Sequence, residues 1–182
     1  VSTTDDDVAG FTIVELEGST SVSEAGSTDT FTVVLDAQPD TNVILSIISG
    51  DTGEATVTSS LTFTSANWDT AQTVTVTGVD DHLVDGTETS TITVAVVDVA
   101  SDDNFDAVAD QTVSVSTTDD DVAGFTIVEL EGSTAVDESG TTDTFTVVLD
   151  AQPDSNVVLS IVSSDTGEAT VTSTLCLLYT SD

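Results

Sequence analysis

The chain has 182 residues, with 34 acidic side chains, no lysine or arginine, and a formal charge of −34. With no lysine or arginine to meet a phosphate, nucleic acid and anionic membrane surfaces are poor partners. Its 38% hydrophobic content, with Val, Ile and Thr recurring throughout, argues against a disordered acidic tail.

Alternation at period two runs through the chain, and no helical period of useful length appears. In chain order, the spacing predicts strands near Phe11–Leu16, then in "DTFTVVLD" with Phe31, Val33 and Leu35 on one face, and near Asn42–Ser49, Glu54–Thr58 and Leu61–Thr64. Further on, "TVTVTGV" turns Val74 and Val76 inward, "STITVAV" does so with Ile92, Val94 and Val96, and "QTVSVST" with Val113 and Val115. Turn signals such as "QPD", "SGDTG" and "VDG" separate these runs. About seven to nine short strands in roughly 110 residues predict an all-β, antiparallel immunoglobulin-like sandwich. Trp68, the single tryptophan, is expected to cap the core at a sandwich edge, with a sugar-stacking platform as the other reading. The outward threonine rows read as solvated strand faces before they read as an ice-binding surface. No hydrophobic run approaches the roughly 20 residues of a membrane span.

An internal repeat governs the organisation. "VSTTDDDVAGFTIVELEGST" at Val1 returns at Val115, 114 residues on, and the match continues through "TDTFTVVLDAQPD" (Thr28 and Thr142) to "DTGEATVTS" (Asp51 and Asp165). A period of this length is a domain, far longer than a solenoid repeat. Residues 1–7 read as a linker from an upstream repeat, 8–121 as a complete sandwich, and 122–175 as a truncated second copy. That copy keeps counterparts of the strands through Val171 and lacks those of the last three. After Leu175 the correspondence stops, "STLCLLYTSD" standing where the first copy has "SSLTFTSANWDT". "CLLYTSD" resembles an in-frame translation of the transposase-end adapter used in sequencing libraries, so residues 176–182 are expected to be artefact, a divergent natural strand being the other reading. Cys176, the single cysteine, falls in that tail.

Carboxylates gather in turns and linkers: Glu24 in "VSEAGS", Asp51 in "SGDTGEA", the run "GVDDHLVDGTE" from Gly78 to Glu88, and "TTDDDVAG" at Asp119–Asp121. Adjacent carboxylates about 4 Å apart repel by roughly 4 kcal/mol at an effective dielectric of about 20, and no basic side chain neutralises them. Calcium, which takes about six to eight oxygen ligands in flexible geometry, suits dense carboxylates drawn from several loops. Zinc prefers the His and Cys that are scarce here. "DDNFDAVAD" lacks the glycine and distal glutamate of an EF-hand loop.

This combination resembles the Calx-beta domain, a calcium-binding sandwich found in exchangers, integrin subunits and bacterial surface proteins. The resemblance covers Val8–Asp121 once and Val122–Leu175 as a truncated second copy. It implies calcium ligands at Glu24, Asp51, Asp80, Asp81, Asp85, Glu88, Asp119, Asp120 and Asp121, with the backbone carbonyl of Leu83 as a further ligand. His82 stands where the family often has a third aspartate, and Asp85 where it often has glutamate.

The expectation is a non-enzymatic tandem module of a large extracellular or cell-surface bacterial protein, adhesin-like, in which calcium stiffens the joints of an extended array. Its partners would be calcium, the neighbouring repeats and, through other domains, a cell-surface or matrix target. The rival readings are a glycosidase-type carboxylate pair or His82 as general base, a carbohydrate- or protein-binding module accessory to a secreted hydrolase, and solvated acidic turns of a halophilic surface protein.

Overall fold

The computed structural model of the chain describes residues 7–153 and 155–178. Asp5 and Asp6 of the first aspartate triplet, the rest of the expected linker before residue 7, and residues 179–182 of the expected adapter tail lie outside the described residues. The chain divides after Asp120 into two units, the short segment His82–Val84 being grouped with the second.

Alternating β-branched and hydroxylated residues build nine strands among the described residues of the first unit. One sheet has the order β1-β3-β7-β5, from β1 (Phe11–Glu15), β3 (Thr28–Leu35), β7 (Gln72–Gly78) and β5 (Ala55–Val57). The other has the order β2-β9-β8-β4-β6, from β2 (Thr20–Ser23), β9 (Gln111–Thr118), β8 (Thr87–Val96), β4 (Val43–Ser49) and β6 (Ser60–Phe63). The period-two pattern sends Phe31, Val33, Val74 and Val76 of the first sheet against Leu45, Phe63, Ile92, Val94 and Val115 of the second, all fully buried. The fold is therefore an all-β, immunoglobulin-like sandwich. Trp68 is half-buried against this core, and its carbonyl accepts a hydrogen bond from the Leu35 N–H at 3.1 Å.

The expected all-antiparallel arrangement needs one correction, because β2 pairs with β9 in parallel, Thr20 opposite Val115 through Ser23 opposite Thr118. The cause is a kink in the first strand. A single 3-10 turn at Leu16–Gly18 holds Glu17 at φ 61° and Gly18 at φ 83°. The chain leaves β1 there, crosses to the other sheet and keeps its direction as β2. Sequence alternation ends the first strand near Leu16 and misses β2 altogether.

The chain enters the first unit beside the start of β9, where the Gln111 side-chain amide donates to the Phe11 carbonyl at 2.5 Å. It leaves after Thr118, at the other end of β9, which is eight residues or roughly 25 Å long. At the entering end Asp102 is buried, and its carboxylate accepts from the backbone N–H of Thr41 at 2.8 Å and of Asn104 at 3.0 Å. Those donors hold its carboxyl below the usual carboxylate range despite burial.

Among its described residues the second unit has four strands, β10 (Phe125–Glu129) paired with β11 (Phe145–Leu149), and β12 (Val157–Ser160) paired with β13 (Thr174–Leu177). Its register copies the first unit, Val157 opposite Leu177 repeating Val43 opposite Phe63. Strands were expected in this copy through Val171, and here the structure differs. The counterparts of β2 and β5, residues 134–137 and 169–171, are not strands. In the first unit β2 pairs with β9, and β5 with β7, and the described residues of the second unit include no counterpart of β7 or β9. Residues 161–163 likewise leave the β12 strand, because their counterparts Ile47–Ser49 pair with β8. Conversely, β13 runs into the tail segment: Leu175 and Leu177 are half-buried and Cys176 exposed, repeating the inward–outward alternation of Leu61, Thr62 and Phe63.

Candidate metal centre

Four chain segments converge where the first unit's last strand ends. Thr20 and Val22 point into the core, and Glu24 continues their alternation one step past β2, so its side chain takes an inward position and is only 1% exposed. Its N–H donates to the Thr118 carbonyl at 3.1 Å, fixing it against the end of β9. Glu54 immediately precedes β5, and its carbonyl accepts from the Val79 N–H at 2.9 Å, fixing it against the end of β7. Upstream of Glu54, the Asp51 carboxylate accepts from the Gly53 N–H at 2.9 Å and shapes the turn.

Gly78 brings these two segments together. A Cβ at this position would lie 2.0 Å from the Ser23 carbonyl oxygen, so no larger residue fits without moving the backbone that carries Glu24. The third segment is the β7–β8 loop with Asp81 and Asp85. The fourth follows β9, where the Asp119 carboxylate accepts from the Gly86 N–H at 2.9 Å. Gly86 has φ 85°, a left-handed conformation that a side chain resists.

Carboxylate oxygens of Glu24, Glu54 and Asp85 lie within 4.8 Å of one another. One oxygen each of Glu24 and Glu54 is shielded from solvent and has no hydrogen-bond partner. Burial, then the charges of Asp81, Asp119, Asp85 and Glu54, pushes the Glu24 carboxyl up to about 7. Burial first and Asp85 second, followed by Asp51, Asp81 and Glu88, raise Glu54 as well. The contrast with Asp102 is chemical: that buried carboxylate has backbone donors, while Glu24 has an oxygen with none and only like charges around it. Such a cluster of oxygens can hold a metal ion, and an all-carboxylate donor set suits a hard divalent cation better than zinc.

Of the residues expected as ligands, Glu24, Asp81, Asp85 and Asp119 are brought within electrostatic reach of one another, and Asp51 and Glu88 act on Glu54. Asp80 and Asp120 are exposed, and neither is among the largest charges acting on Glu24 or Glu54. Leu83, expected to offer its carbonyl, forms an isolated parallel bridge with Gln152, and Asp121 is half-buried at the start of the second unit. Glu54 was missed by sequence reading, which absorbed it into a strand. The available signal was an acidic residue three places after Asp51 in a turn that recurs at Asp165–Glu168. In that second copy Glu138, Asp165 and Glu168, the counterparts of Glu24, Asp51 and Glu54, are all exposed.

No protein-family model and no curated protein sequence matches the chain. Among solved structures, it is similar to the E. coli chaperone DraB at 10% identity and TM-score 0.44, over 84% of this chain and 92% of that one. It is similar to domains 1–6 of the surface layer protein SbsC at 19% identity and TM-score 0.43, over 98% of this chain but only 22% of that one. A third is SSP-19, an MSP-domain-like protein of Caenorhabditis elegans, at 18% identity and TM-score 0.36, over 56% of this chain and 92% of that one.

Among the described residues, no helix is long and apolar enough to cross a membrane.

Proposed function

We propose that this chain is a non-enzymatic, calcium-binding structural repeat of an extracellular, adhesin-like protein. The observation that carries the reading is that Glu24 and Glu54 each keep a shielded, partnerless oxygen and cluster with Asp85, in a chain without a single lysine or arginine. Buried carboxylates without donors are costly, and a bound cation answers both the charge and the missing hydrogen bonds without protonation. Glu24, Glu54 and Asp85 would hold the ion, with Asp81 and Asp119 beside them. Calcium supplies concentrated positive charge and accepts irregular oxygen coordination. Asp119 leads from the last strand toward the next copy, so drawing it onto the Glu24 and Glu54 turns stiffens the exit from the repeat. Sites of this kind in extracellular modules have dissociation constants of roughly 10⁻⁴–10⁻³ M, matched to calcium outside cells.

The test is a thermal melt of the whole chain in chelator, calcium, magnesium and sodium at matched ionic strength. Binding to the folded state alone raises the melting temperature by mass action, so the rise appears at millimolar calcium. Magnesium gives a smaller rise, and sodium acts only by screening. Superimposable calcium and sodium curves would leave the acidic loops as a solvated face.

A further inference from the structure

Asp85 and Gly86 form the single Asp–Gly pair of the chain, and no glycine follows an asparagine. Both residues are exposed and stand outside the strands, just before the β8–β9 ladder begins at Thr87 opposite Thr118. The space beside Gly86 is open, with nothing within 4 Å of where a Cβ would stand. Its N–H donates to the Asp119 carboxylate at 2.9 Å. Asp80, Asp81 and Asp119 are followed instead by Asp81, His82 and Asp120, whose side chains crowd the backbone nitrogen.

We propose that Asp85–Gly86 is a site of aspartate isomerisation, and that a bound divalent cation guards it. The guard rests on the calcium reading above; the chemistry does not. The Gly86 nitrogen attacks the carboxyl carbon of the Asp85 side chain and forms a C–N bond. The hydroxyl of that carboxyl group leaves as water with the amide proton, and a five-membered succinimide remains. Water then opens the ring. Opening at the side-chain carbonyl restores aspartate, and opening at the backbone carbonyl leaves isoaspartate, with the main chain running through the former side chain. No oxidant or reductant is needed. Closure depends on bringing nitrogen and carboxyl together, which a following glycine in an exposed turn hinders least. Without an ion, repulsion among Glu24, Asp81, Asp85 and Asp119 favours opening of this turn. With one, the Asp85 carboxylate is held in the cluster with Glu24 and Glu54, out of reach of its own backbone. Isoaspartate carries its carboxylate one carbon nearer the main chain and adds one atom to that chain. The carboxylate is thereby withdrawn from Glu24 and Glu54, and the Gly86 N–H shifts away from Asp119. Time spent ion-free becomes permanent loss of the site.

The experiment ages the full chain at neutral pH for several weeks in chelator, in millimolar calcium and, as the unrestrained reference, in urea with chelator. A Glu-specific protease then releases residues 55–88, and isoaspartate at position 85 is read by enzymatic methylation and fragment mass spectrometry. Isoaspartate should accumulate at Asp85 in chelator and at least ~tenfold more slowly in calcium, since the rate follows the population of the open turn. The aged chelator sample should also have lost its calcium-dependent rise in melting temperature. Asp85→Glu, whose longer side chain would have to close a less favourable six-membered ring, should give no signal in any buffer. No isoaspartate at 85 in chelator, while the urea sample accumulates it, overturns the proposal, because the folded turn then protects itself. Equal accumulation in chelator and calcium overturns it too. Melts of unaged chain in the same buffers separate the two readings: a rise with calcium leaves the ion site standing and removes only the guard, and no rise removes the ion site itself.

Discussion

Burial and four neighbouring carboxylates raise the Glu24 carboxyl from an ordinary 4.5 to about 7. The folded state thus holds this proton more tightly than the unfolded chain. The stability it contributes is complete below about pH 4.5 and is lost as pH rises through about 7. Glu54 is shifted in the same direction, so the ion-free chain should melt higher at pH 5 than at pH 8. Glu24→Gln should flatten that slope, raise the ion-free melting temperature at pH 8 by several degrees, and remove the calcium response. A Glu24→Gln variant that melts below the wild type in chelator at pH 8 would show that the buried charge costs nothing there. Gly78→Ala should cost about 3 kcal/mol in chemical denaturation, because its methyl group must displace the Ser23 backbone. It should weaken calcium binding too, since Glu24 follows Ser23 directly. Most of the site was legible as clustered carboxylates in loops. What sequence could not show was depth: Glu24 and Glu54 differ from Asp80 and Asp120 in burial, which depends on β7 and β9 closing over them.

At the level of strands, period-two alternation found eight of the nine elements of the first unit to within a few residues, because each has one buried and one solvated face. It missed β2, only four residues long and separated from β1 by a turn without proline. The direction of β2 was equally hidden, since pairing depends on the Glu17–Gly18 kink and on a partner about 95 residues away. The second copy shows the other limit. Thr20–Ser23, "TSVS", is a strand and 134–137, "TAVD", which keeps the inward Thr and Val, is not, so the presence of a neighbour weighs more than the shared pattern in these short edge segments. Removing β9 from the first unit by ending the chain after Ala109 should therefore release β2 as well. Amide exchange at Val22 would rise with that at β8, whereas persistent protection there would mean β2 holds by other contacts.

For the molecule as a whole, the two units should differ in cooperativity. Expressed alone, residues 122–178 should give a broad, low-amplitude melt and weak amide protection, since their faces and edges lack partners; a sharp transition would show that four strands suffice. The first unit's chain path has a mechanical consequence. Tension applied through a tandem array pulls Phe11 and Thr118 apart along the strand axis, because the chain enters beside the start of β9 and leaves at its end. Under that load β9 slides against β8 and the parallel β2, so their ladder bonds resist in shear together rather than peeling one at a time. A hard divalent ion across the Glu24, Glu54 and Asp85 turns would clamp the trailing end of the same strand. Single-molecule stretching should then show an unfolding force that is high for a unit this small and rises further in calcium, and a low, calcium-independent force would mean that the strands unzip.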